Sequence, residues 1–141
     1  MFRALVLSLA LITLSGCAAI SNLLPSGWDD NEMMMIVNLQ YDIRRIECPA
    51  NPEVGEEHVT TPEVWYSIER VWAQKEKLWY YAQATRHTDV IELVRPFSAS
   101  MEGLYSQARE GVLRRPYCVN KVVILTKQAD AMAEALATRN K

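Results

Sequence analysis

Residues 60–86, TTPEVWYSIERVWAQKEKLWYYAQATR, carry the strongest helix signal in the chain. Thr60 and Glu63 have the spacing of a capping box, and Pro62 suits a first turn because its missing N–H would be unpaired there. Apolar residues then recur at helical spacing along the rest of the stretch. The pattern predicts that nearly the whole stretch, beginning at Thr60 or Thr61, is one helix. Its apolar residues form two parallel rows, Val64, Val71 and Leu78 beside Trp65, Trp72 and Trp79.

The row of tryptophans allows two interpretations. Trp65, Trp72 and Trp79 recur every seven residues and so lie along one side of the helix. Because the whole apolar arc is wider than an ordinary amphipathic stripe, the helix is either central to the core or presents a groove to a partner. Lys75 interrupts the arc, and we expect it to extend to the edge or to meet a carboxylate of that partner.

The flanking sequence predicts a helix before this stretch and another at the end of the chain. Asp29 and Glu32 place carboxylates at a cap and in a first turn, and Cys48-Pro49 should end the first helix. The last helix should begin near Pro116. Its apolar residues alternate steps of four and three: Cys118, Val122, Leu125, Ala129, Met132 and Leu136.

A third helix is predicted between these elements. Asp89 and Glu92 are its expected cap, and Gly111 is its expected C-terminal stop. Because Pro96 removes one backbone hydrogen bond, we expect a kink or a fresh start near Arg95. The apolar seam again alternates four and three: Val90, Val94, Phe97, Met101, Leu104 and Ala108.

The chain as a whole is therefore predicted to be all-α, with one domain over residues 29–141. Short connections after the second and third helices favour an up-down-up-down four-helix bundle. In that topology Cys48, at the end of the first helix, and Cys118, at the start of the fourth, lie at the same pole.

Composition limits the classes of function. The 141 residues hold 15 Lys and Arg against 17 Asp and Glu, interspersed along the chain, so a nucleic-acid partner is not expected. Five glycines and six prolines are too few for a turn-rich sandwich or barrel.

The N-terminus has the features of a secretory signal. Arg3 provides a positive charge, an apolar run follows, and Leu14-Ser15-Gly16-Cys17 ends it. These four residues resemble the lipobox of bacterial lipoproteins. The resemblance implies that residues 1–16 are a cleaved signal peptide, that Cys17 is acylated and inserts into the lipid bilayer, and that residues 17–28 form a tether. Because Ala18 stands where an inner-membrane retention aspartate is common, it implies the outer membrane, on its periplasmic face.

Such a compartment favours disulfides. Cys17 is used by the anchor, and Cys48 and Cys118 are the other two cysteines of the chain. Since the bundle topology independently places them at one pole, we predict that they form a disulfide bond.

The sequence offers little for catalysis or for metal binding. His58 lies in a predicted loop and His87 in a predicted turn at the other pole, with no free cysteine for either. His58 beside Glu56 and Glu57 is not expected to hold a metal, because adjacent ligands cannot all turn toward one ion. We therefore predict a protein that is not an enzyme and that has no cofactor.

The layout of Cys17, Cys48, Cys118 and the helix order resembles the pilotins of type II secretion, which grip a helix of the secretin subunit. The resemblance implies an interaction module whose Trp65, Trp72 and Trp79 side receives a partner helix. Two alternatives stay open. One is a phage-encoded or prophage-encoded envelope lipoprotein, with its contact surface in the loop Glu53, Glu56, Glu57 and His58. The other is a structural envelope lipoprotein without a specific groove.

Overall fold

A computed structural model describes residues 29–50 and 60–138 of the chain. The described residues form four helices and no β-strand. The helices are α1 (Asp30–Ile43), α2 (Pro62–Thr85), α3 (Thr88–Arg109) and α4 (Arg115–Thr138). The all-α prediction is confirmed, with all four helices close to their predicted positions.

Neighbouring helices run antiparallel in a closed ring. Each helix packs against the next one along the chain, and α1 also packs against α4. At one pole the Tyr81 hydroxyl donates to Asp29 over 2.8 Å, and at the other the Glu47 amide donates to Ser67 Oγ over 3.0 Å. Because these bonds join opposite ends of α1 and α2, the two helices are antiparallel, and the up-down-up-down topology is confirmed.

The core is built from the apolar seams of the four helices. In α3 and α4 the buried residues keep the predicted steps of four and three, except that Val122 is half-buried. In α2 the inward row is Val64, Ile68, Val71, Lys75, Leu78 and Ala82, which follows the same rule. Leu113, in the connection before α4, also fills the core. This periodicity is what closes the bundle.

A disulfide bond joins Cys48 to Cys118, with Cα atoms 5.7 Å apart. The predicted pairing is confirmed. The Arg115 guanidinium donates to the Pro49 carbonyl over 3.1 Å beside the bond, so α4 holds the chain that leaves α1 by two contacts. This pole is opposite the one where α1 begins.

Helix α1 ends at Ile43, earlier than the predicted stop at Cys48-Pro49. The Arg45 and Ile46 amides turn back to the carbonyls of Asp42 and Ile43, and the chain then leaves the helix axis. The departure lets Cys48 reach α4, a long-range contact that local signals do not encode.

Helix α3 differs from its prediction at two places. It begins at Thr88 with His87 in the cap position, and no side chain caps it, so Asp89 and Glu92 are not the cap. It also runs through Pro96 without a fresh start. One lost hydrogen bond is outweighed here by burial of Val94 and Phe97 on either side. Gly111 ends the helix as predicted, at a φ of 73° that suits glycine.

Helix α2 begins at Pro62, two residues after the predicted capping residue Thr60. Thr61, rather than Thr60, is the cap, and its hydroxyl accepts from the Val64 amide over 3.4 Å. The capping residue is therefore one position later than predicted. Glu63 still takes part, since hydrogen bonds from its own amide and from the Thr61 hydroxyl lower the pKa of its carboxyl.

Candidate functional site

The predicted tryptophan row lies at the edge of α2. Each tryptophan directly follows a residue of the buried seam, so the ring lies beside the core rather than in it. Trp65, Trp72 and Trp79 are all half-buried and pack against core residues. They are therefore neither fully enclosed by the other helices nor free in solvent, and part of each ring is available to a partner.

A tyrosine of α3 completes this surface. The ring centroid of Tyr105 lies 5.1 Å from that of Trp65 and 4.4 Å from that of Trp72, where the two rings are stacked. We call Trp65, Trp72, Trp79 and Tyr105 the aromatic face. Tyr105 was absent from the sequence prediction, although it follows the seam residue Leu104 just as Trp72 follows Val71. These ring contacts orient Trp65 and Trp72 against Tyr105.

Two open grooves flank the contact between Trp65, Trp72 and Tyr105. One has a volume of 580 Å³ and extends over the outer side of α3, and the other has 390 Å³ and lies between the start of α2 and the end of α3. Arg109 lines both of them. The first is also lined by Trp72, Ala99, Glu102, Gly103, Tyr105 and Ser106, and the second by Thr60, Pro62, Trp65, Tyr66, Ala108 and Gly111.

The charges around the grooves are mixed. Glu102 and Arg109 are both exposed at the first groove. The Ser106 hydroxyl donates to the Glu110 carboxylate over 2.9 Å at the same end of α3. The surface therefore has no strong charge of one sign, and its distinctive feature is the aromatic rings.

Lys75 is buried in the α2 seam, which differs from the prediction that it extends to the edge. Its side chain is only 6% exposed, and its ammonium lies 3.5 Å from the centroid of the Trp72 ring. The ammonium also donates to the Glu76 carboxylate. Because both contacts hold it inside, Lys75 supports Trp72 from behind and is not placed to meet a partner's carboxylate.

A second cluster of polar side chains lies at the pole where α1 begins. His87 Nδ1 is 2.5 Å from Glu32 Oε1, and the Asp29 carboxylate is close to both groups. Glu32 is 1% exposed, whereas Asp29 and His87 are half-buried. Sequence reasoning missed this cluster, because 55 residues separate Glu32 from His87 and no local motif links them.

A hydrogen bond joins Asp29 of this cluster to the neighbouring Tyr81. Desolvation would raise the pKa of Asp29. Hydrogen bonds from the Tyr81 hydroxyl and from the Asn31 and Glu32 amides, with His87 nearby, lower it below the ordinary value instead. Donation to the Asp29 carboxylate raises the pKa of Tyr81.

Several predicted site residues lie outside the described residues. They are Cys17, with the rest of the predicted signal peptide and predicted tether, and the residues of the predicted contact loop, Glu53, Glu56, Glu57 and His58. Cys48 and Cys118 are described and are bonded to each other, so neither is a free thiol. None of the described helices combines the length and the apolar character needed to cross a bilayer.

Comparison of the chain with protein-family models, with curated proteins and with solved structures found no match.

Proposed function

We propose that this protein is a bacterial lipoprotein, acylated at Cys17 and held at the periplasmic face of the outer membrane, whose helical domain binds another envelope protein. The observation that carries the proposal is the aromatic face, with its half-buried tryptophans and the grooves on either side of them. The proposed role of the domain is binding rather than catalysis, and the proposed partner is a protein rather than a nucleic acid.

The aromatic face has the physical properties of a binding hot spot. Trp and Tyr contribute large apolar contact areas and lose little conformational entropy, and they dominate the energetics of many interfaces. Stacking of Tyr105 on Trp72 orients both rings before a partner arrives. A partner that inserts an apolar side chain into either groove would cover the part of the rings left exposed. An amphipathic helix, as in the pilotin-like interpretation, suits a groove that follows the axis of α3.

The position of the face fits a tethered protein. The tether enters the domain at Asp29, so the pole that contains Asp29 would lie nearest the lipid. Twelve residues, 17–28, can span at most about 40 Å when fully extended. Trp65 and Tyr105 lie toward the opposite pole, where the disulfide is, and would face the periplasm, where a partner could approach them.

Two matched variants, in which an exposed alanine is replaced by arginine, test this function. Ala99 is exposed and lines the larger groove, whereas Ala131 is exposed on α4, away from both grooves. Ala99→Arg fills the groove without removing a core contact, so we expect it to weaken partner binding at least about tenfold and to lower recovery of the partner from envelopes accordingly. Ala131→Arg should leave recovery unchanged.

The measurement is quantitative mass spectrometry of proteins that co-purify with the tagged, acylated chain after mild crosslinking. Circular dichroism of each variant checks that the helical content is intact. Equal recovery by the two variants would contradict binding through this groove. If replacing residues 53–58 with a neutral linker abolishes recovery of the partner while Ala99→Arg leaves it unchanged, the contact surface is that segment rather than the groove.

A further inference from the structure

We propose that Asp29, Glu32 and His87 form a binding site for one Zn²⁺ ion. One ligand atom from each residue, two carboxylate oxygens and an imidazole nitrogen, lies within 4.8 Å of the other two. In tetrahedral geometry, ligand atoms about 2.0–2.2 Å from one zinc ion lie about 3.3–3.6 Å from one another. Side-chain adjustments must therefore draw the more distant atoms together and move His87 Nδ1 and Glu32 Oε1 apart from 2.5 Å. This site is separate from the aromatic face, and the proposal does not depend on partner binding.

The fold brings the three ligands together from the start of α1 and from the connection between α2 and α3. Asp29 is the N-terminal cap of α1, and Glu32 lies one turn further along the same helix. His87 lies in the connection between α2 and α3, just after Arg86, whose left-handed φ of 59° reverses the chain there. The connection therefore carries the imidazole to α1, where its Nδ1 is 2.5 Å from Glu32 Oε1.

The donor set and its charge fit zinc. Imidazole nitrogen and carboxylate oxygen are both common zinc ligands, and three protein ligands with a water in the fourth position are a familiar arrangement. Two carboxylates balance the charge of Zn²⁺ when His87 is neutral, which suits a site that includes the almost completely buried Glu32. Because Asp29 and His87 are half-buried, an ion can enter from solvent on their side.

Hydrogen bonds already orient one of the ligands. The Asp29 carboxylate accepts from the Asn31 amide over 2.9 Å through Oδ1 and from the Tyr81 hydroxyl over 2.8 Å through Oδ2. Such outer contacts fix a ligand's geometry and typically change metal affinity by about 10–100-fold. The Glu32 amide is a third donor to this carboxylate. Because the two carboxylate oxygens have about four acceptor sites in all, one site remains for an ion.

Isothermal titration of the full acylated chain in detergent with Zn²⁺ tests the proposal, and Co²⁺ absorption in the visible range reports the ligands. We expect one ion per chain with a Kd below about 10 µM. Asp29→Asn keeps a good N-cap residue and His87→Ala removes the nitrogen ligand, and each should weaken binding at least about 100-fold, more than loss of an outer contact. Tyr81→Phe should weaken it about tenfold.

His58→Ala is the matched control, because the chain has only two histidines. It should leave affinity and the Co²⁺ spectrum unchanged. Circular dichroism identifies any variant that fails to fold, and Asp29→Asn then decides the question, since its cap is preserved. Absence of a one-to-one complex, or binding that survives Asp29→Asn and His87→Ala, would overturn the site and leave Glu32 and His87 as a hydrogen-bonded pair only.

Discussion

Removing the disulfide should destabilise the domain by roughly 4 kcal/mol. The bond joins residues separated by 70 positions in the chain, and closing a loop of that size lowers the entropy of the unfolded state by an amount worth roughly 4 kcal/mol in the chain-entropy model. Cys118 is completely buried, so Cys118→Ala also removes core contacts and adds up to about 1 kcal/mol. The combined loss is a large part of the 5–15 kcal/mol typical of a folded domain.

Urea unfolding followed by circular dichroism measures this loss. We compare the oxidised chain with the double variant Cys48→Ala, Cys118→Ala and with the wild type under reducing conditions. The two routes should agree to within about 1 kcal/mol, and the midpoint of thermal unfolding should fall by about 15 °C. A loss below about 1 kcal/mol by both routes would refute the reasoning, because a native bond that closes so long a loop cannot be energetically silent in that model.

Three further substitutions test local features of the fold. Arg86→Gly should stabilise the domain by about 1 kcal/mol in urea unfolding, because Arg86 occupies a left-handed position that costs a side chain but not glycine; a loss of stability would contradict this. Lys75→Met should stabilise it by about 1 kcal/mol, since the core seam gains an apolar side chain and Glu76, 32% exposed, can be hydrated; a loss above about 1 kcal/mol would show that the Trp72 contact dominates. Thr61→Ala should return the pKa of Glu63 toward 4.5 in an NMR titration. It should also diminish the stability that Glu63 contributes, which is present above the unfolded pKa and is lost as pH falls through the lower folded pKa. An unchanged titration would contradict the capping contact.

The helical seams explain why most of the fold follows from the sequence. Alternating steps of four and three occur in α3 and α4. In a bundle of antiparallel neighbours, such a pattern determines which face of each helix packs into the core. The same register includes Lys75, which falls between Val71 and Leu78 in the α2 seam. Its charge predicted an exposed position, whereas the heptad register of α2 places it in the core. Contacts of its ammonium with the Trp72 ring and the Glu76 carboxylate offset the cost of burying the charge.

The functional surfaces were less predictable because they depend on pairs of residues far apart in the chain. The spacing of the tryptophans identified three of the four residues of the aromatic face, but Tyr105 joins it only once α2 and α3 are packed side by side. The cluster of Asp29, Glu32 and His87 depends on the left-handed turn at Arg86, a conformation that non-glycine residues adopt rarely. No local pattern encodes either arrangement.

Site-specific photo-crosslinking in living cells tests the central claim, that the α2–α3 side of the domain binds an envelope protein. Tyr66, 64% exposed, lines the smaller groove, and Tyr41, 58% exposed, lies on α1 and lines neither groove. Each is replaced in turn by a photoreactive phenylalanine. We expect one defined crosslinked envelope protein from position 66 and none from position 41. Crosslinks from both positions alike, or only from position 41, would contradict it.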